Sequence, residues 1–451
     1  MRLLQLALTA SLSRVATASL QVVPGGTWTA SNGEHLQAHG AGLIQENGTY
    51  YMVGEDKSGG SSFSNVNCYA STDLVQWTYV GALLTRQSSG DLGPNRVVER
   101  PKVIYNDKTK KYVLWMHMDS GSYGEARVAV ATGDSVCGKY QYIRSFQPLG
   151  RQSRDMGLFK DDDGKGYLLT EDREYGLRIV ALSDDFLSPT TNVFGWKLEG
   201  GNRVEAPAMI KLGKTYFMFA SMMTGWDSND NQYTTSTSLS SGWSGWKKFA
   251  DSGTKTYDSQ TTYILKTSES TAIYMGDRWL KNNLMASSYI WLPLSISGTS
   301  VTMKNFVSWV PTLNFASWQS PPTENSYEAE KATYSGKARN VDCSGCSSKL
   351  AAGYIGGPDK GGVTFSGIKS DIDGLTTIRI KYINADSSPR YANVRVNGDG
   401  GRKIAFLPAK GDPASSTLNV NLKKGSDNTI VIEGLGTAWG PDVDRLMVPV
   451  Q

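Results

Sequence analysis

The chain has 451 residues, a length that favours two domains over a single core. Glycine is frequent (48 residues), aromatic residues make up 10% and charged residues 20% of the chain, a profile typical of a turn-rich all-β protein that argues against disorder. The formal net charge is +4 and the basic residues are spread along the chain, so nucleic acid is not an expected partner.

Residues 1–20 have the pattern of a signal peptide. Arg2 gives a positive start, Leu3 to Ala10 are mostly apolar, and Ala16-Thr17-Ala18 is a small-x-small cleavage signal. The apolar run is far shorter than the ~20 residues a membrane span needs, and no later stretch is long and apolar enough. We therefore expect a secreted protein without a membrane anchor.

The four cysteines fit an extracellular chain. Cys343 and Cys346 are separated by two residues, which favours a small structural disulfide over a redox pair or half of a zinc site. Pairing of Cys68 with Cys137 then follows by elimination. Asn47-Gly48-Thr49 is a glycosylation sequon on a predicted turn.

Five segments share one pattern, which recurs about every 50–60 residues. Each has a polar residue, a short apolar strand, a polar turn and an aromatic-rich strand, which is the composition of a β-hairpin. The period suits one four-stranded blade with its loops, so residues 21–316 are predicted to form a five-bladed β-propeller. A β-sandwich is the competing all-β architecture, but it does not require such regular recurrence.

The repeat predicts a ring of polar side chains. The first strand of each propeller blade lines the central channel, so equivalent positions surround one mouth: His39, Glu99, Asp155, Glu205 and Gln260. Each alone could be a solvated strand end. Three carboxylates in register favour a site, because like charges held close push pKa values apart and keep one carboxyl protonated as a general acid. Nearby acids and aromatic residues suit a sugar site.

The motifs around this ring resemble glycoside hydrolase family 43, in its fungal exo-β-1,3-galactanase branch. They are Gly54-Glu55-Asp56-Lys57, Val98-Glu99-Arg100-Pro101-Lys102, Ser153-Arg154-Asp155, Val204-Glu205-Ala206-Pro207 and Met275-Gly276-Asp277-Arg278-Trp279. The resemblance implies cleavage of β-1,3-galactan, the backbone of arabinogalactan, with inversion. It implies release of galactose with or without β-1,6 side chains.

The resemblance also implies residue roles. Glu205 matches the general acid and Asp155 the carboxylate that modulates its pKa. The position where most of the family keeps a base aspartate reads Ala38-His39-Gly40-Ala41, without a carboxylate. Glu99 and Gln260 are then the ring positions available for gripping the sugar and positioning water, with His39 as a third possibility.

Further residues are expected to contact the terminal galactose. By the same resemblance these are Glu55, Tyr123, Asp172 and Thr224, with Trp226 stacking on the sugar. No cofactor is expected to be required for catalysis.

Residues 317–325 read as a short Pro-rich linker, and 326–451 as a β-sandwich (jelly-roll) domain of alternating strands. Glu328 and Glu330 alternate on the opening strand. They could form a solvent-exposed face, or they could bind a structural calcium ion together with Asp444 from the last strand. The domain resembles carbohydrate-binding module family 35, which implies that Ca²⁺ site. It also implies galactan binding by Tyr354, Arg390, Asn393 and Asp442, beside Trp439.

Two other functions stay open at this point. One is an α-L-arabinofuranosidase or β-xylosidase of the same family, against which the missing base aspartate and Glu99-Arg100-Pro101 argue. The other is a non-catalytic, lectin-like galactan-binding protein, against which Glu205 and Asp155 argue. A monomer is the expected state.

Overall fold

The computed structural model describes residues 20–199, 202–312 and 317–450. The predicted signal peptide lies outside these ranges except for its last residue, Leu20. The described chain is nearly all β. Its helical segments are single turns, at Pro148–Gly150, Lys255–Asp258, Leu284–Ala286 and Ala329–Lys331. None of the described helices has the length and apolar character needed to cross a membrane.

The first part of the described chain forms consecutive four-stranded antiparallel sheets. Their strands are β1 (His39–Glu46), β2 (Thr49–Glu55), β3 (Asn65–Ser71) and β4 (Thr78–Thr85); β5 (Arg96–Asn106), β6 (Lys111–Ser120), β7 (Arg127–Gly133) and β8 (Gln141–Phe146); β9 (Met156–Lys160), β10 (Gly166–Thr170), β11 (Leu177–Leu182) and β12 (Pro189–Trp196); β13 (Val204–Leu212), β14 (Thr215–Met222), β15 (Gln232–Ser236) and β16 (Lys247–Lys248); β17 (Gln260–Lys266), β18 (Thr271–Arg278), β19 (Ser288–Ser297) and β20 (Ser300–Met303).

The hairpins follow from local sequence. In β1–β2, Glu46 pairs with Thr49 across a two-residue loop in which Asn47 and Gly48 both have positive φ, 50° and 78°. That is the backbone of a type I′ turn, whose twist matches the flanking strands and which Asn-Gly favours. The predicted turn is therefore confirmed, and it closes the first hairpin of the chain.

The first strands of the sheets adjoin one another in a closed ring. β1 contacts β5, β5 contacts β9, β9 contacts β13, β13 contacts β17, and β17 returns to β1. Apolar side chains fill the space between neighbouring sheets, for example Leu114 and Met116 against the first sheet and Trp115 against the third. This is the predicted propeller-type arrangement, and it brings the starts of the first strands to one mouth of the ring.

The C-terminal part consists of two further antiparallel sheets around a separate core. After a short ribbon of β21 (Val310–Pro311) and β22 (Trp318–Gln319), the strands are β23 (Glu324–Glu328), β24 (Thr333–Ser335), β25 (Arg339–Asp342), β26 (Leu350–Gly353), β27 (Gly362–Ser370), β28 (Gly374–Asn384), β29 (Arg390–Val396), β30 (Arg402–Phe406), β31 (Ala409–Leu422), β32 (Gly425–Gly434) and β33 (Asp442–Pro449). The predicted linker thus contains β22 and the first two residues of β23.

The segment before β1 joins the two parts. Val22 forms a β-bridge with Trp309, and Thr27 forms one with Ser416 of β31. The Thr27 hydroxyl also lies 2.9 Å from the hydroxyl of the buried Tyr382. Because these bonds are buried and link residues more than 280 positions apart, the segment holds the sandwich against the propeller.

Both expected disulfides are present. Cys68 of β3 is bonded to Cys137, which follows β7, so this bond ties the first sheet to the second. Cys343 and Cys346 close a small loop before β26. The described residues contain no free cysteine.

Candidate active site

One cavity of about 280 Å³ opens at the mouth where the first strands begin. Seven of the nine side chains predicted for a propeller site line it: Glu55, Glu99, Tyr123, Asp155, Glu205, Trp226 and Gln260. The remaining wall is formed by residues that the sequence analysis gave no role in the site: Arg100, His117, Arg154, Arg173, Gly225 and Trp279.

Backbone bulges aim the ring side chains. The pairing register shifts directly after His39, Glu99 and Glu205, where the first strand of each sheet has extra residues. The next residues, Gly40, Arg100 and Ala206, have φ of 55°, 51° and 57°. A bulge redirects the adjoining side chains, and the left-handed conformation costs free energy at the two non-glycine residues, as is common where a site requires it.

Glu205 is buried, and its surroundings favour the protonated form. Its Oε1 accepts a hydrogen bond from Gln260 Nε2 at 3.1 Å, and Arg173 lies 3.3 Å from Oε2. Burial, and then the negative charges of Asp155 and Glu171, hold the pKa of Glu205 well above its usual range, although Arg100 and Arg173 act against this. A carboxyl that stays protonated near neutral pH can act as a general acid.

The surroundings of Glu99, in contrast, favour the ionised form of its carboxyl. Its carboxylate accepts a hydrogen bond from the Tyr123 hydroxyl at 2.7 Å, and His117 Nδ1 and Lys57 Nζ lie 3.2 and 3.5 Å from its oxygens. Although burial works in the other direction, Lys57 and His117 hold the pKa of Glu99 well below its usual range. Glu99 is therefore ionised and suited to accepting hydrogen bonds from sugar hydroxyls.

Gln260 has no free hydrogen-bonding capacity in this arrangement. Its carbonyl oxygen accepts from Arg100 Nη2 at 2.6 Å and from Trp279 Nε1 at 2.9 Å, while its amide nitrogen donates to Glu205 and to Ser221 Oγ. Arg and Trp side chains are donors only, so they determine which end of the amide carries the oxygen. The amide therefore orients Glu205 directly.

A strained turn precedes Gln260. The four residues of Lys255–Asp258 have φ between 53° and 57°, a left-handed turn of L-residues that costs roughly 1–2 kcal/mol per residue. Asn231 N donates to Thr256 Oγ1 at 2.7 Å, and Arg278 donates to the Tyr257 carbonyl at 2.8 Å. These bonds hold the turn and, through it, the start of β17 at the pocket.

Arg100 connects the ring. Its guanidinium lies 2.9 Å from Asp155, donates to Gln260 and to the Thr261 carbonyl, and its backbone N–H donates to Glu55 Oε1 at 2.7 Å. Its partners lie up to 161 positions away from it in the chain. The Glu99-Arg100-Pro101 motif was the only sequence signal that pointed to it.

His39 lies at the ring position without a carboxylate. It is fully buried, stacked on Tyr289 with centroids 4.8 Å apart, and its Nδ1 is 3.0 Å from Asp277. It does not line the cavity. This arrangement suits a structural histidine better than a group that activates water.

Asp172 and Thr224 lie outside the lining of the cavity. Asp172 is fully buried and accepts hydrogen bonds from the backbone N–H groups of Glu174 and Tyr175, so it holds a turn. The Thr224 hydroxyl donates to the Asp227 carbonyl at 2.5 Å. Only the neighbour of Thr224, Gly225, reaches the pocket.

The sandwich carries a second concave surface, of about 310 Å³. Tyr354, Arg390 and Asp442 line it together with Trp439, and the exposed rings of Tyr354 and Trp439 meet edge to face, with centroids 6.0 Å apart. Asn393 lies apart from it, donating to Glu433 at 2.9 Å. Two exposed aromatic rings beside charged groups suit a sugar ligand.

The three residues predicted to hold calcium lie at the start and end of the sandwich. The Ser347 hydroxyl lies 2.5 Å from Glu328 and 2.9 Å from Asp444, and its single proton can be donated to either carboxylate. Buried oxygens of Glu330 and Asp444 have no hydrogen-bond partner, which fits a cation ligand. Among the described residues, no group of three His, Cys, Asp or Glu side chains is arranged to hold a metal ion, so the calcium site stays a prediction.

Known proteins resemble this chain in both sequence and structure. Residues 38–269 match glycosyl hydrolases family 43, and residues 362–448 match the CBM13 domain of alpha-galactosidase. The second match supports a carbohydrate-binding domain. That this domain belongs to carbohydrate-binding module family 35 stays a prediction. A curated xylan 1,3-beta-xylosidase from Vibrio sp is 30% identical over 116 residues, a match that spans 24% of this chain and 20% of that protein's length.

Similar solved structures include an exo-β-1,3-galactanase from Phanerochaete chrysosporium. It is 35% identical, with a TM-score of 0.67 over 95% of this chain and 100% of that chain. It has been solved with galactose, and two variants of a single glutamate with β-1,3-galactotriose. An exo-β-1,3-galactanase from Clostridium thermocellum is 27% identical, with a TM-score of 0.63 over 89% of this chain and 100% of that chain.

The family match covers just over half of the 451 residues and begins and ends within the ring of sheets. It includes every ring position from His39 to Gln260, and the full-length structural similarity agrees with it. The chain belongs to glycosyl hydrolases family 43, a family of glycosidases.

Proposed function

We propose that the chain is a secreted, exo-acting glycosidase that cleaves β-1,3-galactan, the backbone of arabinogalactan, with inversion. It releases galactose with or without β-1,6 side chains. The observation that carries this proposal is the buried Glu205, whose pKa is raised by burial and by Asp155, in a small pocket whose walls hold carboxylates and the Trp226 and Trp279 rings. Similar structures that were solved with galactose and β-1,3-galactotriose support the choice of sugar.

In this proposal Glu205 protonates the oxygen of the leaving sugar. Asp155 raises the pKa of Glu205 and is itself held by Arg100. Glu55, Glu99 and Tyr123 bind hydroxyls of the terminal galactose. A cavity of about 280 Å³ is at the small end of ligand pockets and suits one terminal sugar, in keeping with exo action, and we propose that the ring is a five-bladed propeller.

An inverting reaction also needs a group that orients water on the face opposite the acid. We assign this role to Gln260, since it is a ring residue at the pocket and His39 is sealed behind it. A neutral amide is a poor base but can orient water by hydrogen bonding. Because Arg100 and Trp279 occupy both lone pairs of its oxygen, an incoming water has to replace one of them.

The sandwich binds galactan at Tyr354, Arg390 and Asp442, and calcium at Glu328, Glu330 and Asp444. Galactan binding there raises the local concentration of enzyme on the polymer. Calcium would add a structural link between the first and last strands of the domain, β23 and β33, and supplies no catalytic chemistry.

Replacing Glu205→Gln should lower galactose release from β-1,3-galactan by about 10²–10⁴-fold, because the general acid is lost. Galactan binding should persist. Product analysis on β-1,3-galactan, arabinan and xylan checks this, with Glu269→Gln, an exposed glutamate at a hairpin turn, as control. Release of arabinose or xylose by the unmutated protein would favour the alternative glycosidases. Galactan binding without any released sugar would favour a lectin.

The substitution Asp155→Asn should move the alkaline limb of the kcat/KM profile to lower pH. Removing a neighbouring negative charge stabilises ionised Glu205, so the pKa of Glu205 falls and the active, protonated form is lost at lower pH. The exposed Asp162→Asn, at the other mouth of the ring, should leave the profile unchanged. An alkaline limb that stays in place in Asp155→Asn contradicts the assigned role.

For Gln260, two substitutions are compared. Gln260→Ala should lower kcat by about 10²–10³-fold with a smaller change in KM, because a group that orients the reacting water acts on the chemical step. Gln260→Glu should retain more activity than Gln260→Ala, because a carboxylate can also orient water. Activity near the unmutated level in Gln260→Ala would remove Gln260 from this role.

Calcium at 1 mM should raise the melting temperature of the sandwich after EDTA treatment, because ligand that binds only the folded state stabilises it, by about 2.7 kcal/mol at 100 times Kd. Asp444→Asn should abolish the response, while Asp427→Asn on the exposed surface of the same domain should keep it. If neither EDTA nor calcium changes the melting temperature of the unmutated protein, the proposed calcium site is wrong.

A further inference from the structure

Another polar cavity, of about 510 Å³, lies where the propeller and the sandwich meet. We call it the interdomain pocket. The propeller side and the segment before β1 contribute amides, carboxylates and tyrosines, and the sandwich contributes the loop that leads into β29. The lining includes Asp56, Asn65, Asn67, Tyr79, Ser388 and Tyr391.

One buried group in this wall lacks a partner. Asn67 is 5% exposed, and its Nδ2 donates to the Gln37 carbonyl at 3.0 Å, so its Oδ1 must point the other way. That oxygen has no hydrogen-bond partner. Buried polar atoms are nearly always paired, and this oxygen is itself buried. Since Asn67 belongs to the pocket lining, a hydrogen-bond donor held in the pocket would supply the missing partner.

The rest of the wall is built like a sugar site. Asp56 Oδ2 accepts from Asn65 Nδ2 at 3.0 Å, which holds the carboxylate in place. The half-exposed Tyr79 packs edge to face on Tyr69, whose hydroxyl accepts from the Gln37 backbone N–H. Supported rings offer faces for sugar C–H groups, and the fixed amide and carboxylate oxygens offer acceptors for hydroxyls.

The charges of the lining select against anions. Its charged side chains are the carboxylates of Glu34 and Asp56, and it includes no Lys or Arg. Lys403 adjoins the lining but is paired with Glu34, so Asp56 supplies the uncompensated charge. A neutral saccharide rich in hydroxyl donors is therefore the ligand class that fits, rather than a uronate or a phosphate.

The interdomain pocket adjoins the catalytic one. Glu55 lines the catalytic cavity and Asp56 the interdomain pocket. Lys57 stands between them: its backbone N–H donates to Gln37 Oε1 at 2.9 Å, and its ammonium lies 2.6 Å from Glu55. An occupant of both cavities has to be a polysaccharide several sugars long, whereas a single galactose occupies one.

Polar contacts between the two domains lie beside this pocket. Asn283 Nδ2, from the loop after β18, donates to the Ser387 carbonyl at 2.7 Å. Lys403 is paired with Glu34 and also lies over the Tyr391 ring, 4.2 Å from its centroid. The pocket is thus formed only when both domains are in place.

We propose that the interdomain pocket is a second, non-catalytic saccharide site that holds a neutral part of the galactan chain beyond the sugar being cleaved. The proposal rests on the proposed function for the identity of the polymer. It predicts that the pocket matters for long substrates and not for short ones.

The test uses the full chain with Ser388→Trp, which fills the pocket from an exposed position. Its kcat/KM on β-1,3-galactan should fall about fivefold or more, while kcat/KM on β-1,3-galactobiose stays within about twofold, because only the polymer spans both sites. Ser240→Trp, on an exposed turn of another sheet, is the matched control. Tyr79→Ala, which removes a ring instead of adding one, should reproduce the effect.

Calorimetry separates this inference from the proposed function. With Glu205→Gln to prevent turnover and Tyr354→Ala to weaken the sandwich site, adding Ser388→Trp should weaken the binding of long β-1,3-galactan oligosaccharides about fivefold. If the unmutated protein hydrolyses neither substrate, the proposed function fails, and this titration still decides the pocket. Unchanged affinity, or equal loss on polymer and galactobiose, overturns the inference.

Discussion

The cost of placing several negative charges in one buried pocket governs the catalytic mouth. Glu205, Asp155 and Glu171 lie close enough that burial and mutual repulsion raise the pKa of Glu205 well above its usual range and that of Glu171 to about 7. Arg100 and Arg173 offset only part of that repulsion. The pocket therefore favours the protonated form of Glu205.

The wall around Glu99 favours the ionised form of a carboxyl instead. His117 lies between Glu99 and Asp119, and although its burial acts against protonation, the hydrogen bonds that its ring donates to the carboxylates of Asp119 and Glu99 raise its pKa to about 9. With Lys57 nearby, Glu99 stays ionised. One cavity thus holds a carboxyl with a raised pKa, Glu205, and one with a lowered pKa, Glu99, a division that suits general acid catalysis on a bound sugar.

This electrostatic arrangement depends on how the backbone is held. The bulges after His39, Glu99 and Glu205 and the left-handed turn before Gln260 aim side chains that a regular strand would direct elsewhere. Arg100 is itself at a bulge with positive φ and joins three of the sheets through Asp155, Gln260 and the Glu55 carboxylate. Strain at this one residue is offset by the number of buried bonds that it makes.

The repeat in the sequence already determined much of the protein, because period-two strands and Asn-Gly-type turns act locally. Equivalent positions in such a repeat must meet at one mouth, so Glu99, Asp155, Glu205 and Gln260 could be assigned to one site from the sequence. Asp172 and Thr224, which the family resemblance suggested as galactose contacts, lie outside the lining of the cavity, because a residue that follows a second strand need not face it.

What only the tertiary structure decided are the contacts between distant segments. The link from Arg100 to Gln260 and the stacking of His39 on Tyr289 leave no pattern in a single chain. The same is true of the interdomain pocket around Asn67, whose wall draws on residues from 32 to 391. Periodicity reports which face of a strand is buried, whereas the partner across a buried interface is set by how the sheets close and how the two domains dock.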